Sequence, residues 1–188
     1  HDHFDVDPDI VTLAKGLTSS YGALSATVVK QHIYDLFLND PSDPDTRFNY
    51  FRDISTYGGC TGGLTAAMEN LRIIETENLV ENSRVMGAYL REQLAALERY
   101  DCVGDVRGKG LFCGVELVQD KAARTPATEE QMADLLGNIL ASGVIAGRTN
   151  ASLEGLNNTL YFAPALIITK AQIDTIVQAV VQAIEAVF

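Results

Sequence analysis

The stretch PDIVTLAKGLT, from Pro8 to Thr18, places a single lysine at the end of an apolar, β-branched run and directly before a glycine. The run predicts a buried strand that carries Lys15 into an apolar environment, where desolvation disfavours the ammonium form and lowers the pKa of the lysine. Gly16 lets the chain turn away without crowding a bound ring. The neutral amine is then a nucleophile for an aldehyde. The alternative is an ordinary strand-end lysine whose ammonium group reaches water.

The 188-residue chain is acidic, and 47% of its residues are hydrophobic, which is enough for a core in one domain or two small ones. The formal net charge of -11 argues against nucleic-acid binding, because affinity for phosphate backbones needs clustered Lys and Arg. The apolar stretches are too short or too interrupted to span a bilayer, so no membrane association is predicted. The 3 cysteines lack metal-type spacing and favour a reducing cytoplasm over a disulfide framework.

Alternating strand and helix patterns indicate an α/β arrangement. A long helical region is predicted from about residue 64 to 99, broken near 75–78, and the domain boundary is expected inside it. Thr128 with Gln131, and Thr169 at the start of the last helix, are expected helix caps. The predicted strands are 9–14, 23–29, 103–107, 111–118, 144–146 and 160–162, and the other predicted helices are 31–38, 128–141 and 170–187.

Three further segments follow the lysine stretch in a fixed order. They are Ser55-Thr56-Tyr57-Gly58-Gly59, the stretch VRGKGLFCGVEL from Val106 to Leu117, and FAPALIIT from Phe162 to Thr169. With the lysine stretch, these segments resemble the class III (ω-amino acid:pyruvate type) pyridoxal-phosphate-dependent aminotransferases. The sequence departs from the family after Gly59, where Cys60-Thr61 replaces a common histidine and proline.

The resemblance implies the α/β fold of the fold type I pyridoxal-phosphate-dependent transferases. Residues 1–75 would be the end of the large cofactor-binding domain, and residues 76–188 the small C-terminal domain. In the family, the aspartate that faces the pyridine nitrogen, the phosphate-binding loop and the ring-stacking aromatic residue all precede the lysine. None has a counterpart in this sequence, so we expect it to be the carboxy-terminal part of a longer enzyme. Its expected partners are the missing N-terminal part of that enzyme and a second copy in a homodimer or higher oligomer.

The resemblance also implies roles for single residues. Lys15 would bind pyridoxal 5'-phosphate through an imine and then act as general base and acid. Thr56 would reach across a dimer interface to the phosphate of the partner's cofactor, whereas the alternative is an ordinary strand residue. Arg148 would bind the substrate carboxylate, as an arginine in the loop after a short strand does in the family. Gly147 places Arg148 one position later than in the family pattern, and the alternative is a surface arginine.

Two further points complete the expected site. Tyr21 is a candidate for the edge of the substrate pocket, with core packing as the alternative. The histidines of His1-Asp2-His3 offer nitrogen ligands for Cu(II) or Ni(II), but this stretch is interpreted as an arbitrary start inside a longer polypeptide, and no metal site is predicted.

The function that these residues imply is transamination, in which an amino group moves from an ω-amino acid or amine to a keto acid such as pyruvate. The stretch from Gly147 to Pro164 resembles taurine or β-alanine:pyruvate enzymes of the family. Two alternatives stay open at this point. One is a related class III reaction, that of an aminomutase or a decarboxylating transaminase. The other is an inert fragment that only completes an interface as a structural subunit.

Overall fold

The computed structural model describes residues 4–150, 153 and 155–188. The stretch His1-Asp2-His3, for which no metal site is predicted, lies outside these residues. The chain divides into two compact units, His1–Glu77 and Asn78–Phe188. Both units combine helices with antiparallel strands. Within the described residues, every helix is too short or too polar to cross a membrane.

The first unit is small and irregular. Strands β1 and β2 pair antiparallel, with Ile10 opposite Val29 and Leu13 opposite Ala26. A 3-10 helix opens the connection between the two strands, and a long loop leads from a short helix to a long one. The elements are β1 (Ile10–Leu13), the 3-10 helix Lys15–Thr18, β2 (Ala26–Val29), α1 (Gln31–Asp35), the 3-10 helix Pro44–Thr46 and α2 (Thr61–Thr76).

The prediction that the strand before Lys15 is buried is wrong for this chain. Only Val11 of the four β1 residues is even partly buried. The physical reason is that β1 pairs with β2 alone, and a two-stranded ribbon cannot bury its own faces. Among the described residues of the first unit, only Thr18 and Ala67 are buried. An apolar run of this kind therefore needs cover that the first unit does not supply.

The second unit contains a sheet with the strand order β3-β4-β7-β6, all pairs antiparallel, and β5 pairs with β4. Three helices pack with this sheet. The elements are α3 (Leu79–Ala95), the 3-10 helix Ala96–Arg99, β3 (Val103–Lys109), β4 (Phe112–Asp120), β5 (Thr125–Pro126), α4 (Glu129–Ala141), β6 (Gly147–Arg148), β7 (Thr159–Phe162) and α5 (Lys170–Val187).

Apolar residues of α3, α4 and α5 meet those of the sheet in one core. Thr128 and Thr169 cap α4 and α5 as predicted, Thr128 in the predicted capping box with Gln131 and Thr169 in a capping box with Gln172. Each box satisfies N–H groups that the first helical turn leaves without partners. The largest fully buried side chains are Leu90, Leu94, Leu97, Leu117, Met132, Leu135, Ile139, Leu160, Ile173 and Ile184.

The predicted strand at 144–146 is wrong, because the strand lies at Gly147–Arg148 instead. The Val144 amide caps the end of α4 by donating to the Ile139 carbonyl at 3.2 Å, so the chain becomes extended only later. Gly147 lies opposite Tyr161, where a Cβ would overlap the tyrosine ring. Arg148 is consequently a strand residue and not a loop residue.

Two helix glycines lead to opposite expectations for substitution by alanine. A Cβ at Gly87, on α3, would overlap the backbone of Gly110 in the turn between β3 and β4. Since that backbone cannot yield as a flexible side chain does, Gly87→Ala should lower the free energy of unfolding by about 1–3 kcal/mol. A Cβ at Gly137, on α4, meets no atom within 4 Å, so Gly137→Ala should raise that free energy by about 0.5–1 kcal/mol. Urea unfolding of both variants checks the signs, and a stable Gly87→Ala variant would contradict this packing.

Candidate active site

Lys15 is the first residue of the 3-10 helix that follows β1, and its backbone φ is 53°, in the left-handed region. Its side chain is exposed, and the described part of the chain makes no hydrogen bond or ion pair with it. A Cβ at Gly16 would meet nothing within 4 Å, so the space beside the lysine is open. The amine of Lys15 is therefore accessible to a covalent partner. The first unit alone does not enclose it in a pocket.

Tyr21 lies in the same turn as Lys15. Its amide donates to the Thr18 carbonyl at 3.0 Å, and the buried Thr18 hydroxyl donates to the Gly22 carbonyl at 2.6 Å. The Tyr21 side chain is 89% exposed, so it is not a core residue of this unit. The turn thus presents an amine at one end and a phenol at the other, and both are open to solvent.

Thr56 lies in a turn and not in a strand, so the ordinary-strand alternative is wrong. The turn is closed by the Gly58 amide, which donates to the Ser55 carbonyl at 2.9 Å. It leads through Cys60 into the first turn of α2, where N–H groups lack partners within the helix. The whole segment from Phe51 to Cys60 is exposed. Thr56 thus presents an exposed hydroxyl four residues before the N-cap of α2, and hydroxyl groups and helix N-termini are both suitable donors for an anion.

Arg148 lies on β6 of the second unit, with a side chain that is 21% exposed. Its Nη1 atom is 2.9 Å from Oε2 of Glu129, the first residue of α4. The pair is an ion contact whose N–H direction does not meet hydrogen-bond geometry. The other oxygen of Glu129 accepts from Asn157 Nδ2 at 3.3 Å. The structure therefore holds Arg148 half-buried beside one carboxylate of its own unit.

Two residues that contact the predicted site were missed by sequence reasoning. Glu129 is the first residue of α4, where a carboxylate is common because it suits the positive end of a helix, so the sequence alone does not single it out. Asn70, in the middle of α2, contacts the turn that begins at Lys15. The available signal was an amide inside a helix, where asparagine has low propensity. The structure brings Asn70 of α2 against the turn that contains Lys15 and Tyr21. Thr56 belongs to the same unit, whereas Arg148 belongs to the second unit.

The sequence matches the family model for Aminotransferase class-III over residues 1–184. The chain belongs to the class III aminotransferases. The family prediction is thus confirmed, and with it the predicted dependence on pyridoxal phosphate, on which this class relies. Membership in this family also means that the chain comes from a family of enzymes.

Similar proteins agree with this family. The hypotaurine/taurine–pyruvate aminotransferase of Paracoccus denitrificans is 47% identical over an alignment of 189 positions, which covers 100% of this chain and 40% of that protein. The taurine–pyruvate aminotransferase of Rhodobacter capsulatus is 48% identical over 181 residues, which are 96% of this chain and 39% of that protein. Among solved structures, a Bacillus anthracis aminotransferase superposes with a TM-score of 0.90 at 40% identity, covering 98% of this chain and 40% of that one.

These comparisons confirm the predicted fold class, an α/β arrangement of the pyridoxal-phosphate-dependent transferase type. They also show that this class III chain spans about 40% of the length of the curated relatives that it matches. The predicted roles of Lys15, Thr56, Tyr21 and Arg148, and the assignment of 1–75 and 76–188 to the two domains of the enzyme, stay predictions.

Proposed function

We propose that this chain is the carboxy-terminal part of an aminotransferase that moves an amino group from an ω-amino acid or amine to a keto acid, with pyruvate as acceptor. The observation that carries the proposal is 47% identity over the whole chain to a protein named for transfer between hypotaurine or taurine and pyruvate. No observation favours an aminomutase or a decarboxylating transaminase.

The residues present fit pyridoxal phosphate. The cofactor offers an aldehyde and a phosphate dianion, and the first unit offers an accessible amine at Lys15 with open space beside Gly16. For the phosphate of the cofactor held by a second copy, the turn at Thr56 offers a hydroxyl, and α2, which begins at Thr61, offers its N-terminus. When bound, the cofactor supplies the electrophile and the electron sink of the reaction. Residues 1–75 would accordingly be the end of the cofactor-binding domain.

Within this assignment Lys15 has two tasks. Its amine would hold the cofactor covalently, and once an amino substrate has freed it, the amine would accept a proton from one carbon centre and deliver it to another. A flexible side chain that makes no competing ion pair in the described part of the chain suits both tasks. Tyr21, at the other end of the turn, would edge the pocket for the substrate.

Arg148 would bind the carboxylate of the keto acid. A planar guanidinium matches the two oxygens of a carboxylate, and a partly buried one binds more strongly than a solvated one. Arg148 is mostly buried and already lies beside the carboxylate of Glu129. In this setting the carboxylate of the substrate would replace that of Glu129 as the partner of the Arg148 guanidinium.

A second copy and a preceding segment are the proposed macromolecular partners. Large apolar side chains of the first unit are exposed, and near Thr56 they include Phe51 at 72%, Ile54 at 86% and Tyr57 at 79%. Several exposed large apolar side chains within one short segment support an interaction surface there. The relatives are more than twice as long as this chain, which supports a further part of the enzyme as a second partner for this surface. A cytoplasmic location is part of the proposal, and the 3 free cysteines of this chain are consistent with a reducing compartment.

The test of the proposed function is an assay of the full-length enzyme. Loaded with pyridoxal phosphate, it should form alanine from pyruvate with taurine, hypotaurine or β-alanine as amino donor. Carbon dioxide release would indicate a decarboxylating enzyme, and an amino group that shifts within the donor would indicate an aminomutase. A stable, correctly assembled enzyme without any of these activities would support the inert-subunit alternative.

Thr56→Val should weaken the binding of pyridoxal phosphate to the full-length enzyme. Loss of a hydroxyl donor to the phosphate is expected to raise the dissociation constant about 5- to 30-fold, which corresponds to about 1–2 kcal/mol. The matched control is Thr65→Val, because the Thr65 hydroxyl is already used within α2, where it donates to the Thr61 carbonyl at 2.9 Å. Titration of the cofactor-free proteins measures both constants. Equal affinities in the two variants would remove Thr56 from the phosphate site.

A further inference from the structure

The turn that follows Lys15 has an unfavourable backbone. Its φ angles are 53° at Lys15, 48° at Ser19 and 67° at Ser20, all in the left-handed region. Residues with a Cβ avoid this region because the Cβ crowds the backbone carbonyl oxygen. Such conformations persist only where surrounding contacts determine them.

The two backbone hydrogen bonds nearest to Lys15 are long, whereas the shorter bonds of the turn lie at its far end, at Tyr21 and Gly22. The Leu17 amide donates to the Ala14 carbonyl at 3.2 Å, and the Ser19 amide donates to the Gly16 carbonyl at 3.3 Å. Both distances lie at or beyond the long end of the usual N–H···O range. Local bonds alone are therefore a weak determinant of the direction in which Lys15 leaves the backbone.

Asn70 ties this turn to α2 through both ends of its carboxamide. Its Nδ2 donates to the Gly16 carbonyl at 2.9 Å and to the Leu17 carbonyl at 3.2 Å, and its Oδ1 accepts from the Ser19 hydroxyl at 2.7 Å. One side chain thus contacts three residues of the turn that lie 51–54 positions earlier in the sequence. The first turn of α2 also packs closely on this region, since a Cβ at Gly22 would come within 3.1 Å of Gly63.

We propose that Asn70 is a positioning residue for Lys15, which holds the turn so that the lysine amine has a defined direction. The inference rests on the proposed function, in which Lys15 carries the cofactor and moves a proton between two carbon centres. Misplacement of a reacting group by about 1 Å can lower a rate about 100-fold. Release of the turn should therefore slow the reaction more than it weakens substrate binding.

Asn70→Asp and Ser19→Ala test the contacts separately in the full-length enzyme. Asn70→Asp keeps the volume and the acceptor for Ser19 but loses both donors, whereas Ser19→Ala loses one bond only. In the cofactor-free protein, hydrogen–deuterium exchange at the amides of Leu17 and Ser19 should rise at least about tenfold in Asn70→Asp and less in Ser19→Ala. With the cofactor bound, the single-turnover rate with alanine should fall about 10- to 100-fold in Asn70→Asp, with a KM within about threefold of wild type.

Asn82→Asp is the matched control. Asn82 also donates to two backbone carbonyls, those of Leu166 at 2.5 Å and Ile168 at 3.2 Å, but within the second unit. The control should leave both exchange in the Lys15 turn and the single-turnover rate near wild type. Unchanged exchange in Asn70→Asp, faster exchange without a loss of rate, or an equal loss of rate in the control would each overturn the proposal. Exchange can be read in a protein without aminotransferase activity, so failure of the proposed function and failure of this inference give different results.

Discussion

Lys15→Ala is expected to abolish transamination by the full-length enzyme while the protein stays folded. The variant loses both the covalent attachment of the cofactor and the group that moves the proton. General acid–base catalysis alone contributes about 10²- to 10⁴-fold, so kcat should fall at least by that factor. Because the side chain is exposed and makes no ion pair or hydrogen bond in the described part of the chain, its loss should leave the melting temperature within about 2 °C of wild type.

Lys30→Ala is the matched control for this prediction. Lys30 directly follows β2, the strand that pairs with β1. Its Nζ atom lies 2.7 Å from a carboxylate oxygen of Asp7 and 3.4 Å from one of Asp9. The hydrogen bond to Asp7 raises the pKa of Lys30 and keeps it as a paired ammonium. We expect the control to retain kcat within a fewfold of wild type. A comparable loss of kcat in both variants would mean that the loss comes from a change in the charge or folding of the first unit, and not from removal of the Lys15 amine.

Arg148→Ala is expected to raise the KM for pyruvate about 10- to 100-fold, the equivalent of one lost hydrogen-bonded charge pair. The KM for an amino donor without a carboxylate should change much less. The structure supplies a reason for this asymmetry, because the carboxylate of Glu129 lies 2.9 Å from the guanidinium of Arg148. A partly buried arginine without any counter-charge would be costly, so Glu129 can neutralise it whenever the donor brings no carboxylate.

Arg107→Ala is the control for Arg148, since it removes another arginine of the same sheet that is bound to carboxylates. Arg107 Nη1 lies 2.6 Å from Asp105 and 2.8 Å from Glu116, and the hydrogen bond to Asp105 is the main cause of its raised pKa. We expect its KM for pyruvate to equal that of wild type. Equal losses for pyruvate and for the simple amine in Arg148→Ala would indicate a structural role, and no loss for either would remove Arg148 from the substrate site.

Features that depend on neighbouring residues in the sequence could be predicted. The boxes at Thr128 and Thr169 each involve residues three positions apart, so the starts of α4 and α5 follow from local pattern. The long helical region with a break near 75–78 likewise follows from periodicity, and the structure places that break between Thr76 and Leu79. The family resemblance rested on short motifs in order, and the family is confirmed over residues 1–184.

Features that depend on distant partners could not be predicted. The strand at Gly147–Arg148 is defined by its pairing with Leu160 and Tyr161, which the local pattern at 144–146 does not contain. The exposure of β1 follows from the lack of a covering layer in the first unit, whereas its apolar composition predicts burial. The contact of Asn70 with Gly16 likewise joins residues that only the fold brings together.

The central claim is that Lys15 is the lysine that binds the cofactor, and chemical trapping tests it most directly. The full-length enzyme is loaded with pyridoxal phosphate, the covalent link is reduced with borohydride, and the digested protein is mapped by mass spectrometry. The account predicts one pyridoxyl group per chain, located on Lys15 in the stretch DIVTLAKGLT. A pyridoxyl group on Lys30, Lys109 or Lys170 instead would contradict it.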